Sequence, residues 1–185
     1  MLKKRIIPVL LLKGSRMVKG KNFNNFIDTG MPKTAVRIYN SQDADELVFL
    51  NIDAQKETSE NIYDILKLAS KECSVPLSAG GGVKSFDDVK MLLDSGADRV
   101  VINSLIYFNQ NLVKEISNFY GLSTIVASVD YKYIDNKPVV FVSSGQYNTE
   151  INLHDYIQKI NYIGVGELIL TCIDNEGLMK GYDID

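Results

Sequence analysis

The sequence VPLSAGGGVKSFDDVKMLLDSGADRVVIN, residues 75–103, contains a strand, a helix and a second strand. The short apolar runs at residues 75–79 and 99–102 are typical of buried strands, and the segment between them has apolar residues at helical spacing. Ser85, followed three residues later by Asp88, predicts a capping box at the start of that helix. A helix that connects two such strands indicates a parallel sheet.

The same unit recurs along the chain. Six strands are predicted, at residues 5–11, 46–52, 75–79, 99–102, 124–131 and 167–173. Four helices are predicted from their apolar stripes: Ile62, Ile65, Leu66 and Ala69; Phe86, Val89, Leu92 and Leu93; Leu112, Ile116, Phe119 and Tyr120; Leu153, Tyr156, Ile157 and Ile160. Residues 138–143 predict a small hairpin after the fifth strand. Repeated units of this kind favour an α/β fold, a (β/α)8 TIM barrel.

The chain length bears on how complete that barrel is. A full barrel takes about 200 residues at least, whereas this chain has 185 and ends just after its sixth predicted strand. We therefore expect residues 1–185 to form one incomplete domain with about six of eight units, truncated from a longer gene product. A Rossmann-type sheet is the alternative, but no G-x-G-x-x-G fingerprint follows the first strand.

Composition narrows the classes of partner. The chain has 20 basic and 23 acidic residues, a net charge of −3 and 45% hydrophobic residues. This balance argues against nucleic acid or a membrane surface as the primary partner, and leaves small anionic ligands possible. Cys73 and Cys172 fit no metal-ligand spacing, so we predict two reduced thiols, no metal site and no cofactor.

Charged residues stand at the starts of four predicted strands. They are Arg5, Glu46, Arg99 and Glu167, each of which shares a strand face with the apolar residue two positions on. If that face lines the barrel interior, the four charges form a self-neutralising ring at the N-terminal mouth. The alternative is a set of ordinary exposed charges, since surface ion pairs are common and individually weak.

Other residues of interest follow the strands, at the end where barrels place their active sites. These positions hold Leu11, Asn51, Gly80, Gly81, Gly82, Asn103, Ser104, Asp130 and Thr171. The glycine run lets backbone N–H groups approach a phosphate, although a tight turn is the alternative. Asn103 and Ser104 could add donors to the same phosphate. Asp130, on the strand face of Val126 and Ser128, is the candidate general acid or base.

Several segments together resemble one known family. They are KRIIPVLLLKG, MVKG, DELVFLNID, PLSAGGGV, GADRVVIN, SVDYK and LILTCIDNEGLMKGYD. In order and almost without gaps, they resemble the cyclase subunit of imidazole glycerol phosphate synthase. The resemblance implies a barrel that receives ammonia from a class-I glutaminase docked on its N-terminal mouth and uses it to split and cyclise a phosphoribosyl substrate. It also implies a lyase-type synthase subunit in cytoplasmic histidine biosynthesis.

The resemblance assigns roles to individual residues. It implies that Asp130 is catalytic and that Arg5, Glu46, Arg99 and Glu167 form an ammonia gate, with Arg99 standing where the family usually has lysine. The phosphate-binding or substrate-binding residues that we infer are Lys19, Gly81, Gly82, Asn103, Ser104, Thr171 and Gly177.

Two positions depart from the family pattern. Leu11 stands where the family has its second catalytic aspartate, and Asn51 replaces an acidic residue. Since leucine cannot transfer a proton, the chain resembles more closely the cyclase-like paralogues that work beside a glutaminase and an ATP-dependent sugar amidotransferase. Our leading interpretation is therefore an ammonia relay for amidation of a surface-polysaccharide sugar. The alternatives are a true cyclase and an inactive barrel fragment.

Overall fold

A computed structural model of the chain describes residues 3–54 and 62–184. The chain divides into two compact units. The first unit comprises Met1–Val18 and Asp28–Val101, and the second comprises Lys19–Ile27 and Ile102–Asp185. In chain order the elements are β1 (Val9–Lys13), β2 (Arg16–Lys21), β3 (Asn24–Gly30), α1 (Pro32–Ser41), β4 (Leu47–Asn51), α2 (Ile62–Ala69), β5 (Leu77–Gly80), α3 (Phe86–Asp94), β6 (Arg99–Ile102), α4 (Ser104–Phe108), α5 (Gln110–Tyr120), a 3₁₀ turn (Leu122–Thr124), β7 (Ile125–Ile134), β8 (Lys137–Val142), β9 (Tyr147–Asn152), α6 (Leu153–Ile163) and β10 (Glu167–Cys172).

The first unit is built on parallel strands in the order β1, β4, β5, β6. One face of these strands is buried and apolar. Along it, Leu10 lies beside Phe49, Phe49 beside Ala79, and Ala79 beside Val100. The helices of this unit add further buried side chains to the core, among them Val36, Leu66 and Leu92. The opposite face carries the row Val48, Ser78 and Arg99.

The second unit is built around β7. This strand pairs in parallel with β10 and in antiparallel orientation with β8, which in turn pairs with β9. Ile125, Ala127 and Val129 of β7 are buried, as are Ile116 of α5 and Ile160 of α6. The tip of the β2–β3 hairpin, Lys19–Ile27, belongs to the same unit.

Most predicted elements are confirmed. All six predicted strands are present, although the first begins at Val9 instead of residue 5. The predicted hairpin is also present, formed by β7 and β8 and extended by β9. The capping box is confirmed, because the Ser85 side chain accepts from the backbone N–H of Asp88 while the Asp88 side chain accepts from that of Ser85. The strands β2, β3 and β9 and the helices α1 and α4 were not predicted.

The predicted core stripe of α5 is wrong at one residue. Phe119 is 72% exposed and contacts the ring of Tyr120. Ile116 is buried as predicted, and the other buried positions of α5 are Val113 and Ser117. Ser117 is tolerated there because its hydroxyl donates to the carbonyl of Gly164 over 2.7 Å. An apolar stripe counted from sequence could not anticipate a serine that is satisfied by a backbone carbonyl.

Candidate active site and charged cluster

Asp130 lies within β7, opposite Thr171 of β10. Its side chain is only 6% exposed. The Asn103 Nδ2 donates to Asp130 Oδ2 over 2.7 Å, and the Thr171 side chain also hydrogen-bonds the carboxyl group. Burial raises the pKa of Asp130 to about 7, while the bonds to Asn103 and Thr171 act in the opposite direction. Asp130 is thus the buried centre of a polar group that also contains the half-buried Asn103 and Thr171.

This environment suits proton transfer near neutral pH. With a pKa of about 7, the carboxyl group is present in both its protonated and its ionised form. A general acid or base works best when its pKa lies near the operating pH. Buried groups of this kind are frequent in catalytic sites, although structural networks can produce them as well.

Ser104 is tied to the loop that joins β8 and β9. Its Oγ accepts a hydrogen bond of 3.0 Å from the backbone N–H of Ser143. This contact holds the start of α4 against the β8–β9 loop. A phosphate-binding role for Asn103 and Ser104 stays a prediction, and the side chains of both residues make protein contacts in this structure.

The glycine run lies at the end of β5, and neighbouring strands pack closely against it. Gly81 has φ +104° and Gly82 has φ +77°, which both fall in the left-handed region. A β-carbon at Gly81 would lie 2.1 Å from the carbonyl oxygen of Asn51, and one at Gly82 would lie 2.4 Å from Cβ of Ala54. Glycine is therefore required here by backbone packing, whether or not a phosphate binds.

The tip of the β2–β3 hairpin folds onto the loop after β10. The Asn22 Nδ2 donates to the carbonyl of Ile173 over 2.8 Å, and the backbone N–H of Phe23 donates to Glu176 Oε2 over 3.0 Å. A β-carbon at Gly177 would lie 2.1 Å from the carbonyl oxygen of Gly20. Lys19 lies exposed on β2. The structure thus places Lys19 and Gly177 in the same unit as Asp130 and Thr171.

The charged residues at the strand starts meet at Glu46 in the first unit. Glu46 is 3% exposed, and its Oε2 accepts from Arg5 Nη1 and from Arg99 Nη1, each over 3.2 Å. The other carboxylate oxygen accepts from the Ser78 hydroxyl over 2.5 Å. We call Arg5, Glu46, Ser78 and Arg99 the Glu46 cluster. Its carboxylate is buried and fully hydrogen-bonded, unlike an ordinary exposed strand-entry charge.

Glu167, the fourth charge predicted at a strand start, begins β10 in the second unit, opposite Val126 of β7.

The two positions that depart from the family pattern lie on β1 and β4. Leu11 lies on β1, opposite Leu50, and is half-buried. Asn51, the next residue of β4, accepts a hydrogen bond of 3.1 Å from the backbone N–H of Asp53. Neither Leu11 nor Asn51 can exchange a proton at neutral pH.

Two further findings concern only residues 3–54 and 62–184. Within these ranges no group of three or more histidine, cysteine, aspartate or glutamate side chains is placed to hold a metal ion. In the same part of the chain, no helix is long and apolar enough to cross a membrane.

The model of the histidine biosynthesis protein family matches residues 5–185. The HisF subunit of imidazole glycerol phosphate synthase from Sulfolobus acidocaldarius is 42% identical to this chain over all of its 185 residues, which cover 74% of that relative. The HisF subunit from Flavobacterium johnsoniae is 38% identical over 98% of this chain and 72% of the relative. The HisF subunit from Streptococcus mutans is 38% identical over the whole chain and 74% of the relative.

The chain belongs to the HisF-like family. Members of this family have the TIM-barrel fold, and the alternating strands and helices with parallel pairing agree with it. The predicted fold class is therefore confirmed. The expectation that the barrel is truncated stays a prediction.

Proposed function

We propose that this HisF-like chain is a cyclase-type subunit of an imidazole glycerol phosphate synthase, in which Asp130 is the acid–base group. The observation that carries the proposal is the buried Asp130, held by Asn103 and Thr171 with a pKa of about 7. The names of the relatives, all HisF subunits of that synthase, favour this reaction over amidation of a polysaccharide sugar. A cytoplasmic location is part of the same proposal.

The phosphorylated substrate would bind at the carboxyl ends of the strands. Candidate ligands in the first unit are the backbone N–H groups of Gly81 and Gly82, because glycine has no β-carbon to hinder the approach of a phosphate. Candidates in the second unit are Lys19, Asn103, Ser104, Thr171 and Gly177. The ammonium form of Lys19 and the neutral donors of the other residues suit a phosphate anion.

Ammonia would enter at the opposite end of the strands, from a class-I glutaminase. The support for this partner is the Glu46 cluster, which stands at the starts of β4, β5 and β6. Val48, Ser78 and Val101, on the same face of these strands, are at most 3% exposed. A dry path of this kind suits neutral ammonia, because it excludes the water that would protonate it. Leu50, on the same face of β4 as Val48, is half-buried.

The test is turnover of the histidine-pathway phosphoribosyl substrate with an ammonium salt as the nitrogen source. We expect the natural protein to convert the substrate and Asp130→Asn to lower the rate by ~10²–10⁴-fold, which is typical for loss of a positioned acid or base. Asp135→Asn is the matched control, since Asp135 lies exposed in the turn after β7. Equal turnover by the natural protein and Asp130→Asn would contradict the proposal.

A second candidate function is favoured by Leu11. If the reaction needs a second carboxylate, the half-buried leucine at this position of β1 leaves the chain as a relay that passes ammonia to an ATP-dependent sugar amidotransferase. The relay predicts no cyclase turnover but transfer of ¹⁵N from labelled glutamine to the sugar when all three proteins are present. Absence of both cyclase turnover and ¹⁵N transfer would favour an inactive barrel.

A further inference from the structure

Three asparagines stand directly before helices of the second unit, and one of them behaves differently. Asn109 precedes α5, and its side chain accepts from the backbone N–H of Leu112. Asn152 precedes α6, and its side chain accepts from the backbone N–H of His154. Both are ordinary helix caps, which is the role in which asparagine is strongly preferred. Asn103 precedes α4 but makes no cap hydrogen bond with its side chain.

The side chain of Asn103 is instead directed to Asp130. Its Nδ2 donates to Asp130 Oδ2 over 2.7 Å, and a hydrogen bond from an amide is stronger when the carboxyl group that accepts it is ionised. The carbonyl oxygen of Asn103 accepts from the backbone N–H of Ile106, so the first turn of α4 fixes its main chain. Asn103 therefore does not supply the stability that a side-chain cap would give α4, and its side chain bonds to Asp130 instead.

We propose that Asn103 is a positioning residue for Asp130, which fixes the orientation of the buried carboxyl group and stabilises its ionised form. The proposal rests on the acid–base role given to Asp130 above and adds a residue that acts through it. It also gives Asn103 a role that does not depend on a phosphate.

The chemistry of the donors explains why an amide is suitable here. A lysine or arginine beside Asp130 would hold the carboxyl group permanently ionised, because an opposite charge at short range strongly lowers its pKa. A neutral amide stabilises the ionised form less, so the group still exchanges its proton near neutral pH. Thr171 of β10 supplies the second neutral donor.

The remaining titratable neighbour is on the helix that packs behind β8 and β9. Tyr156 of α6 is 2% exposed, and burial raises the pKa of its hydroxyl, with smaller contributions from Tyr107 and Asp130. Tyr156 is therefore neutral over the pH range in which Asp130 titrates. Asn103, Thr171 and Tyr156 all act on the Asp130 carboxyl group, and none of the three is charged at pH 7.

The experiment follows the titration of Asp130 directly by NMR in protein labelled with ¹³C at the aspartate carboxyl carbon. Its resonance is assigned by its disappearance in Asp130→Asn. Asn103→Leu removes the donor but keeps the same number and branching of side-chain heavy atoms. Asn103→Ser keeps a residue that can cap α4 but is too short to reach Asp130. Asn109→Leu is the matched control, because it removes an asparagine before a helix that is bonded to Leu112 and not to Asp130.

We expect Asn103→Leu and Asn103→Ser to raise the titration midpoint of Asp130 by about one pH unit, since a hydrogen bond to a charged group is worth about that much. The control should leave the midpoint unchanged. An unchanged midpoint in the folded Asn103 variants would overturn the positioning role, as would an equal rise in the control.

The titration separates this inference from the proposed function. If the midpoint rises but neither natural protein nor variant turns over the phosphoribosyl substrate, Asn103 positions Asp130 and the cyclase proposal fails. If turnover falls while the midpoint stays in place, Asn103 acts on the substrate and the positioning role fails. If both proposals are correct, the rise of the turnover rate on the acidic side of the pH–rate profile moves to higher pH in Asn103→Ser, together with the titration midpoint of Asp130.

Discussion

The carbonyl oxygen of Asn51 occupies the space that a β-carbon at Gly81 would need, at a separation of 2.1 Å. Real β-carbons do not approach a carbonyl oxygen so closely, so the end of β4 and the turn after β5 exclude any side chain at residue 81. The same turn has φ +104° at Gly81, a conformation that other residues rarely adopt.

Gly81→Ala should therefore prevent normal folding or lower the free energy of unfolding by well over the ~1 kcal/mol that strained φ alone costs. Gly121→Ala is the control, because Gly121 has φ +94° but no atom within 4 Å of its virtual β-carbon. Urea unfolding of the two variants separates the steric effect from the conformational one. Equal losses would show that the turn moves away from Asn51 easily.

The Glu46 cluster predicts a large effect on stability. Glu46→Ala removes a buried carboxylate from Arg5, Arg99 and Ser78. Breaking a buried ion pair costs about 3–5 kcal/mol, and we expect the lower end here because the Arg5 and Arg99 side chains are 44% and 24% exposed. Asp28→Ala breaks the exposed pair with Arg16 and should cost much less, since exposed ion pairs contribute little to stability. The measurement is again urea unfolding. A loss in Glu46→Ala no larger than in Asp28→Ala would show that solvent readily replaces the missing carboxylate.

The same cluster predicts an effect on ammonia transfer. In the complex with a class-I glutaminase, we expect Arg5→Ala to uncouple glutamine hydrolysis from ammonia use, because Arg5 holds the buried carboxylate of Glu46. The readout is the ratio of glutamate released to nitrogen incorporated, with Lys33→Ala, which removes one exposed partner of Glu72, as control. An unchanged ratio in Arg5→Ala would return this residue to a purely structural role.

The sequence predicted the positions of single residues better than it predicted the contacts between them. Strand alternation places Asp130, Val126 and Ser128 on one face, because side-chain direction has a period of two along any strand. The hydrogen bond from Asn103 to Asp130 could not be predicted from strand alternation, and an asparagine directly before a helix predicts a helix cap instead. The contact depends on the register of separate elements, which sequence periodicity does not contain.

The β2–β3 hairpin was missed for a local reason. Its turn is Asn22 and Phe23, both with positive φ (51° and 60°). The common signal for such a two-residue turn is Asn-Gly or Asp-Gly, and phenylalanine at positive φ is unusual. The tip of this hairpin hydrogen-bonds Ile173 and Glu176, which are more than 150 residues away from it in sequence. Short-range patterns could not find them.

Asp130 also predicts how stability depends on pH. Its pKa is about 7 in the folded chain and 3.8 in an unperturbed one, so the folded state binds the proton more tightly. Between these values the unfolded state is ionised while the folded state keeps the proton, and stability falls as pH rises from about 4 to about 7. Asp130→Asn removes this loss. The free energy of unfolding of the variant, measured relative to that of the natural protein, should therefore be higher at pH 8 than at pH 4 by as much as about 4 kcal/mol.

The measurement is the free energy of unfolding of natural protein and Asp130→Asn at several pH values. Asparagine keeps an acceptor for the Asn103 amide, so the difference between the two proteins reports mainly the ionisation. A difference that does not change with pH would mean that Asp130 titrates at its ordinary value. In that case its burial would not impose the proposed acid–base behaviour.

The last prediction concerns Leu11, where the resemblance implies a second catalytic aspartate. Cyclisation with transfer of protons at two atoms of a substrate generally uses two titratable groups, and this chain retains Asp130 alone of the two. Leu11 is half-buried beside Leu50 on β1, so an aspartate there would be partly desolvated and suited to proton transfer. We expect Leu11→Asp to raise ammonia-dependent turnover by ~10²-fold or more over the natural protein.

Leu11→Asn is the control for this gain, because it matches aspartate in shape but cannot transfer a proton. Asn51→Asp can be added to Leu11→Asp to restore the other acidic position. If the natural protein shows no turnover and Leu11→Asp does, the ammonia relay is favoured. If the natural protein turns over slowly and Leu11→Asp is faster, a weakened cyclase is favoured. Fast turnover by the natural Leu11 protein, with no gain in Leu11→Asp, would contradict the need for a second carboxylate and require another acid or base to act with Asp130.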